Sequence, residues 1–102
     1  MAGVEWHIYL IRTRSGALYT GVAKNVARRL SEHRNGGRSG AKYLRAKAPL
    51  RLVYQARLGS HALALKAEHR IKKLPKCAKE AIVARAPDRN ELLAHLGIPA
   101  QE

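Results

Sequence analysis

Tyr9, Tyr19 and Arg29 stand at even ten-residue intervals near the start of the chain. A phenol can donate and accept a proton, and a guanidinium grips a phosphate through parallel N–H donors. With one distant carboxylate, such a set could surround a phosphodiester. Hydrolysis of that bond needs an activated water, donors for charge growing in the transition state, and a stabilised leaving oxygen. No member of the set signals this alone. Strand tyrosines usually belong to half-buried core, and one more arginine is ordinary in a basic chain. Their meaning depends on the elements that hold them.

Trp6 to Arg12 is a β-branched and aromatic run and predicts a strand. Arg14-Ser15-Gly16 is the turn, and Ala17 to Thr20 the return strand. A two-residue loop would put Tyr9 and Tyr19 on opposite faces. A three-residue loop with Gly16 left-handed pairs Ile11 with Tyr19 and Tyr9 with Gly21. The two tyrosines then become diagonal neighbours on one face, each hydroxyl within reach of the other. Asn25 predicts the N-cap of a helix from Val26 to about Arg34, which Asn35-Gly36-Gly37 ends. At about 100° per residue, Val26 and Leu30 mark its inner face. Arg29 and His33 lie four apart at the edge of that stripe, while Arg28 points nearly opposite, toward solvent.

Gly36 to Ala48 reads as a basic loop, with a short helix around Ala41 to Arg45. Leu50 to Ala56, led by Pro49, alternates as a third strand. A second long helix runs from Ser60 to Leu74, with the apolar stripe Leu63, Ala67, Ile71 and Leu74 and with Glu68 at its flank. Pro75 breaks it and opens a third helix to about Arg85. A last helix spans Pro87 to Leu96, closed by Gly97, and Ile98 to Glu102 reads as a frayed end. The layout is α+β: a three-stranded antiparallel sheet flanked by helices.

The 102 residues suffice for one small domain, and 46% hydrophobic content with periodic segments argues for a folded one. Twenty Lys+Arg against seven Asp+Glu give a formal charge of +13. That surplus points to a polyanion, nucleic acid before an anionic membrane surface. The basic residues are spread along the chain rather than gathered in a tail. A membrane-surface helix needs bulky apolar anchors; the only Trp is Trp6 and there is no Phe. No apolar run approaches the roughly 18 residues of a membrane span, and the first residues do not read as a signal peptide. The one cysteine, Cys77, excludes an internal disulfide and a cysteine-based zinc site. It reads as a half-buried spectator thiol in a reducing compartment, so the expected location is cytoplasmic.

Gly36-Gly37-Arg38-Ser39-Gly40-Ala41-Lys42 has the look of a phosphate loop but lacks the adjacent Gly-Lys-Ser/Thr, and it follows a helix where the motif must open one. No nucleotide cofactor is expected; a cationic loop suits a phosphate backbone better. His7, His33, His61, His69 and His95 show no double-histidine zinc spacing. Only His33, which shares a face with Arg29, is kept as a candidate.

Taken together, Ile8-Tyr9, then Tyr19-Thr20-Gly21, then Asn25 through His33 resemble the GIY-YIG nuclease family, most closely its small stand-alone YhbQ-like group. Ala62 to Pro75 resembles the family's acidic-helix block. The resemblance assigns residues 1–85 to the nuclease-like domain and leaves 86–102 as an appended helix and tail of the same domain. It implies divalent-metal-dependent endonuclease cleavage of DNA, with a lean toward single-stranded or irregular DNA. There are departures. His7 stands at the first glycine of the name motif, and Val22 stands where repair-type members can carry a lysine. The asparagine some members carry beyond the acidic helix has no counterpart.

On that resemblance Glu68 is the metal ligand, for Mg²⁺ or Mn²⁺, since a hard cation takes oxygen ligands and accepts one carboxylate with waters and substrate phosphate. Arg29 binds the scissile phosphate. Tyr9 is the expected base and Tyr19 its hydrogen-bonded partner, on the reasoning that a strongly positive pocket favours phenolate. His33 orients the phosphate or a tyrosine, and Gly21 lets the chain turn close to the site. Lys24, Arg38, Lys42 and Arg45 are expected to contact the DNA backbone, giving salt-dependent affinity without base reading. Two rivals explain the charge equally: a non-catalytic nucleic-acid-binding module, and a basic structural protein bound to ribosomal RNA. Only the nuclease needs Tyr9, Tyr19, Arg29 and Glu68 to converge.

Overall fold

A computed structural model describes residues 5–35 and 49–99. The elements in chain order are β1 (Trp6–Arg12), β2 (Leu18–Ala23), α1 (Val26–Asn35), β3 (Arg51–Gly59), α2 (His61–Lys72), α3 (Lys76–Arg85) and α4 (Arg89–Leu96). The three strands form one antiparallel sheet in the order β2-β1-β3, as the α+β reading expects. The expected basic loop and short helix between Gly36 and Ala48 lie outside the described residues.

β1 is the central strand, and both its faces are covered. Ile8, Leu10 and Ile11 are fully buried and Tyr9 is 2% exposed, which is why this run is apolar without alternation. Ile8 and Leu10 point to one side, with Tyr54, Leu58, Leu63, Ala67, Ile71 and the leucines of α4. Tyr9 and Ile11 point to the other, with Ala23, Val26, Leu30 and Leu50. Helices α2, α3 and α4 thus cover one face and α1 the other. The hairpin closes through the three residues Arg14-Ser15-Gly16: Thr13 N–H donates to Ala17 O at 2.9 Å, and Gly16 takes φ 93°. The register follows, Ile11 opposite Tyr19 and Tyr9 opposite Gly21.

Several expected boundaries move. β2 runs on to Ala23 and β3 to Gly59, because the alternation Tyr54, Ala56, Leu58 continues past Ala56. The last helix starts at Arg89 instead of Pro87, because Asp88 caps it: Asp88 Oδ1 accepts from Glu91 N–H and Glu91 Oε1 accepts from Asp88 N–H, both at 2.9 Å. Ile98 is not frayed. Gly97 turns left-handed, Ile98 N–H donates to Leu93 O at 2.9 Å, and the side chain is 4% exposed in the core, the apolar contact of a Schellman ending. Cys77 is exposed rather than half-buried. Among the described residues no helix is long and apolar enough to cross a membrane.

Polar ties lock the layers. Arg12 meets Glu80 in a bidentate pair with both contacts at 2.7 Å, and Lys76 joins the same carboxylate at 2.7 Å. The end of β1 is thereby pinned to α3. Tyr54 O–H donates to Pro87 O at 2.6 Å, and Arg70 reaches Leu96 O at 2.8 Å, at the C-terminal end of α4. Removing part of this core should be felt throughout the domain. Leu93→Ala is expected to cost ~2–5 kcal/mol, against less than ~0.5 kcal/mol for Leu65→Ala on the exposed side of α2, read as urea midpoint shifts at unchanged slope.

Candidate active site

Tyr9 comes from the central strand and its ring lies over Gly21, across the pair. A Cβ on Gly21 would stand 2.5 Å from Tyr9 Cζ and closer still to its hydroxyl. Gly21 lies inside β2 and its φ is not positive, so it does not turn the chain as expected; it leaves the space that the ring occupies. The Tyr9 hydroxyl sits 3.1 Å from His33 Nε2, and Arg29 lies near enough to pull its pKa down. Tyr19 meets the His33 ring edge-on, centroids 5.8 Å apart at 77°. Four of the expected groups therefore converge under α1.

The helix sorts its two arginines by direction. Asn25 Oδ1 accepts from Arg28 N–H at 3.0 Å and sets the start of the helix. The Arg28 side chain is then 78% exposed and that of Arg29 37%. Glu32 bridges them, 3.3 Å from Arg28 Nε by one oxygen and 3.3 Å from Arg29 by the other. Burial pulls the Arg29 pKa down, but its bond to Glu32 and the nearby Tyr9 oxygen outweigh this and hold it cationic. Burial, and then the Arg29 charge, lower the His33 pKa, so the ring is neutral at neutral pH.

Tyr9 departs from the expectation of a favoured phenolate. Its pKa is pushed up to about 12, first by burial and then by Tyr19, against the pull of Arg29. A positive neighbour lowers a phenol's pKa only where loss of solvation does not cost more, and here the ring is 2% exposed.

Glu68 belongs to α2, on the face opposite α1. That helix packs against β2 and β1 alike. The Glu68 charge still acts on the Tyr9 phenol. The side chain is 18% exposed, and one oxygen lies 3.1 Å from Lys72 Nζ on the same helix. Among the described residues no group of three His, Cys, Asp or Glu could hold a metal by itself. What fits is one hard oxygen donor that needs waters and substrate phosphate to complete a shell.

Lys24 is exposed just beyond β2, its Nζ 5.5 Å from the centre of the Trp6 ring. Both border an open cleft of about 410 Å³ that also takes in Asn25, Arg28, Arg29 and Glu32. Arg38, Lys42 and Arg45 lie outside the described residues. Sequence reasoning passed over two members of this neighbourhood. Glu32 could have been found from its spacing, three and four residues after the paired arginines. Trp6 was weighed only as a membrane anchor, and nothing local shows that it stacks on His61, 55 residues away in the chain.

Two outcomes test this geometry. Gly21→Ala should destabilise the fold by ~1–3 kcal/mol and, by lifting the Tyr9 ring from its seat, return its titration toward 10 in an ultraviolet absorbance titration. His33 is protonated more readily in the unfolded chain than in the folded one. Its contribution is therefore present above the unfolded pKa of about 6.5 and lost as pH falls below it. His33→Gln should flatten the urea-measured stability profile between pH 6.5 and the carboxylate range. Below that, the profile should still fall, because Arg12 and then Lys76 hold the Glu80 carboxyl down at about 2.

Comparison with known proteins identifies the family of the chain. The GIY-YIG catalytic domain family matches residues 5–80. A UPF0213 protein of Sodalis glossinidius is 47% identical over 98 residues, covering 96% of this chain and 87% of its own. One from Citrobacter koseri is 47% identical over 94 residues, 92% of each chain. A solution NMR structure of a UPF0213 protein from Bacillus halodurans is 30% identical with TM-score 0.53, covering 93% of this chain and 99% of that one. The GIY-YIG domain is that of a nuclease superfamily acting on DNA, generally with a divalent metal. This chain belongs to that family, in its small UPF0213, YhbQ-like group.

Proposed function

We propose that the protein is a divalent-metal-dependent DNA endonuclease, using Mg²⁺ or Mn²⁺ and favouring single-stranded or irregular DNA. The observation that carries this reading is the meeting of Tyr9, Tyr19, Arg29 and His33, drawn from two strands and a helix, beside a cleft lined by cations. A purely structural protein has no need to bury a hydrogen-bonded histidine under two phenols and an arginine.

Arg29 binds the scissile phosphate and takes up charge that grows on its oxygens as the attacking water closes. The two tyrosines divide the remaining work by exposure. Tyr9, buried and with its pKa at about 12, stays a neutral phenol and positions Arg29 and His33. Tyr19, only partly buried, is the phenol that water can reach. We therefore assign it the proton transfer, reversing the order expected from the sequence. Tyr19 takes the proton from the attacking water; the water oxygen bonds to phosphorus; the bond from phosphorus to the leaving oxygen breaks, and that oxygen keeps the electron pair and takes up a proton from solvent. Glu68 is the residue to hold the divalent cation, which when bound supplies positive charge to the phosphate oxygens. Lys24, with Arg38, Lys42 and Arg45 from the basic segment, contacts the strand without reading its sequence.

Labelled single-stranded and duplex DNA, incubated with Mg²⁺ or Mn²⁺ and with chelator, tests the reading. Cleavage should appear only with metal. Arg29→Ala should lower the rate by about 10²–10³, and Glu68→Ala should abolish cleavage with the fold intact by circular dichroism. Arg28→Ala should leave it largely unchanged. Binding without cleavage under every condition would instead establish a non-catalytic nucleic-acid-binding module.

A further inference from the structure

The cleft beside α1 holds one aromatic ring for which the proposed reaction has no role. Trp6 is the only tryptophan in the chain and opens β1, partly buried. Its ring stacks on His61, centroids 3.9 Å apart and planes within 13°. An imidazole at that spacing fills one face of the indole. Lys24 Nζ, 5.5 Å from the ring centre, has room only over the other. Trp6 and Lys24 border the same cleft as Arg28 and Arg29. The indole is thus backed on one side by His61 and covered on the other by an exposed cation, a weak contact that a flat ligand can replace.

The chemistry of the walls defines that ligand. A π-face asks for a planar aromatic group, and Lys24 and Arg29 ask for an anion attached to it. A nucleobase on its sugar-phosphate answers both, provided the base is unpaired; in a duplex its faces are already covered by its neighbours. We propose that this cleft is a stacking subsite for one unpaired nucleobase of the strand being cut, laid on Trp6 as Lys24 moves from the ring to the adjoining phosphate. The subsite rests on the reaction proposed above in one respect: Arg29 lines the cleft, so the stacked base belongs to a nucleotide next to the scissile phosphate. His61 is a positioning residue that holds the indole flat.

Trp6 reports on itself. With chelator present, so that nothing is cut, the protein is titrated with oligothymidylate, with an abasic strand of equal length and with a blunt duplex. Tryptophan emission reads stacking, and anisotropy of an end label reads binding. Oligothymidylate should quench Trp6 as it binds, while the abasic strand and the duplex bind without quenching. Trp6→Ala should weaken oligothymidylate binding roughly 5- to 150-fold and leave the abasic strand unchanged. Trp6→Phe, which keeps a flat ring and disturbs the packing least, should retain much of the preference for the strand with bases. Equal quenching by the abasic strand, bound oligothymidylate with unaltered emission, or a full preference for bases surviving Trp6→Ala would each overturn the subsite. Absence of cleavage after metal is restored would sink the nuclease reading and leave a stacking result standing.

Discussion

The structure turns on one buried phenol. Tyr9 lies in the gap left by Gly21, with its oxygen 3.1 Å from His33 Nε2 and within the field of Arg29. That hydroxyl joins the central strand to α1 through His33, beside the arginine to which the proposed reaction assigns the phosphate. Because the ring is buried, each neighbour is held in a defined state: Arg29 charged, His33 neutral, Tyr9 protonated. A site whose protonation states are set by packing needs little rearrangement when substrate arrives, which is the physical content of preorganisation.

This placement depends on a count of residues in a turn. Three loop residues put Tyr19 and Tyr9 on one face, and a shift of one would send Tyr19 toward α2. Gly16 permits the count by taking φ 93°. Arg12 then secures the turn from behind through Glu80 on α3. The chemistry of the α1 face is thereby braced by a helix on the opposite face, and the hairpin cannot shift register without breaking a bidentate ion pair.

The features legible in the sequence were the local ones. The turn length, the direction of Arg29 against Arg28, and the helix breaks at Pro75 and Gly97 follow from rules spanning four residues or fewer. The unread features need distance. Net charge suggested that a tyrosine in this chain would ionise readily, but solvation is set by what packs on the ring, and that comes from Gly21 and α1 together. Which face of the sheet α2 covers is likewise unreadable from the helix itself, since its own periodicity is the same either way. Ile98 followed a glycine that looked terminal, and only the Leu93 carbonyl and the core beside it show that the ending is anchored.

The distribution of the few acids bears on Glu68. Among the described residues, Asp88 and Glu91 cap α4, Glu80 is held by Arg12 and Lys76, and Glu32 lies between two arginines. Glu5 is paired with Arg57 at 3.9 Å on the surface. Glu68 differs in kind: its carboxylate is largely buried, yet the ion pair it shows is with Lys72, 54% exposed on the same helix. Such helical pairs contribute only about 0.3–0.5 kcal/mol. A shielded carboxylate with so weak a counter-charge, whose field is felt at the Tyr9 phenol, is the acid in this set that suits the cation of the proposed reaction.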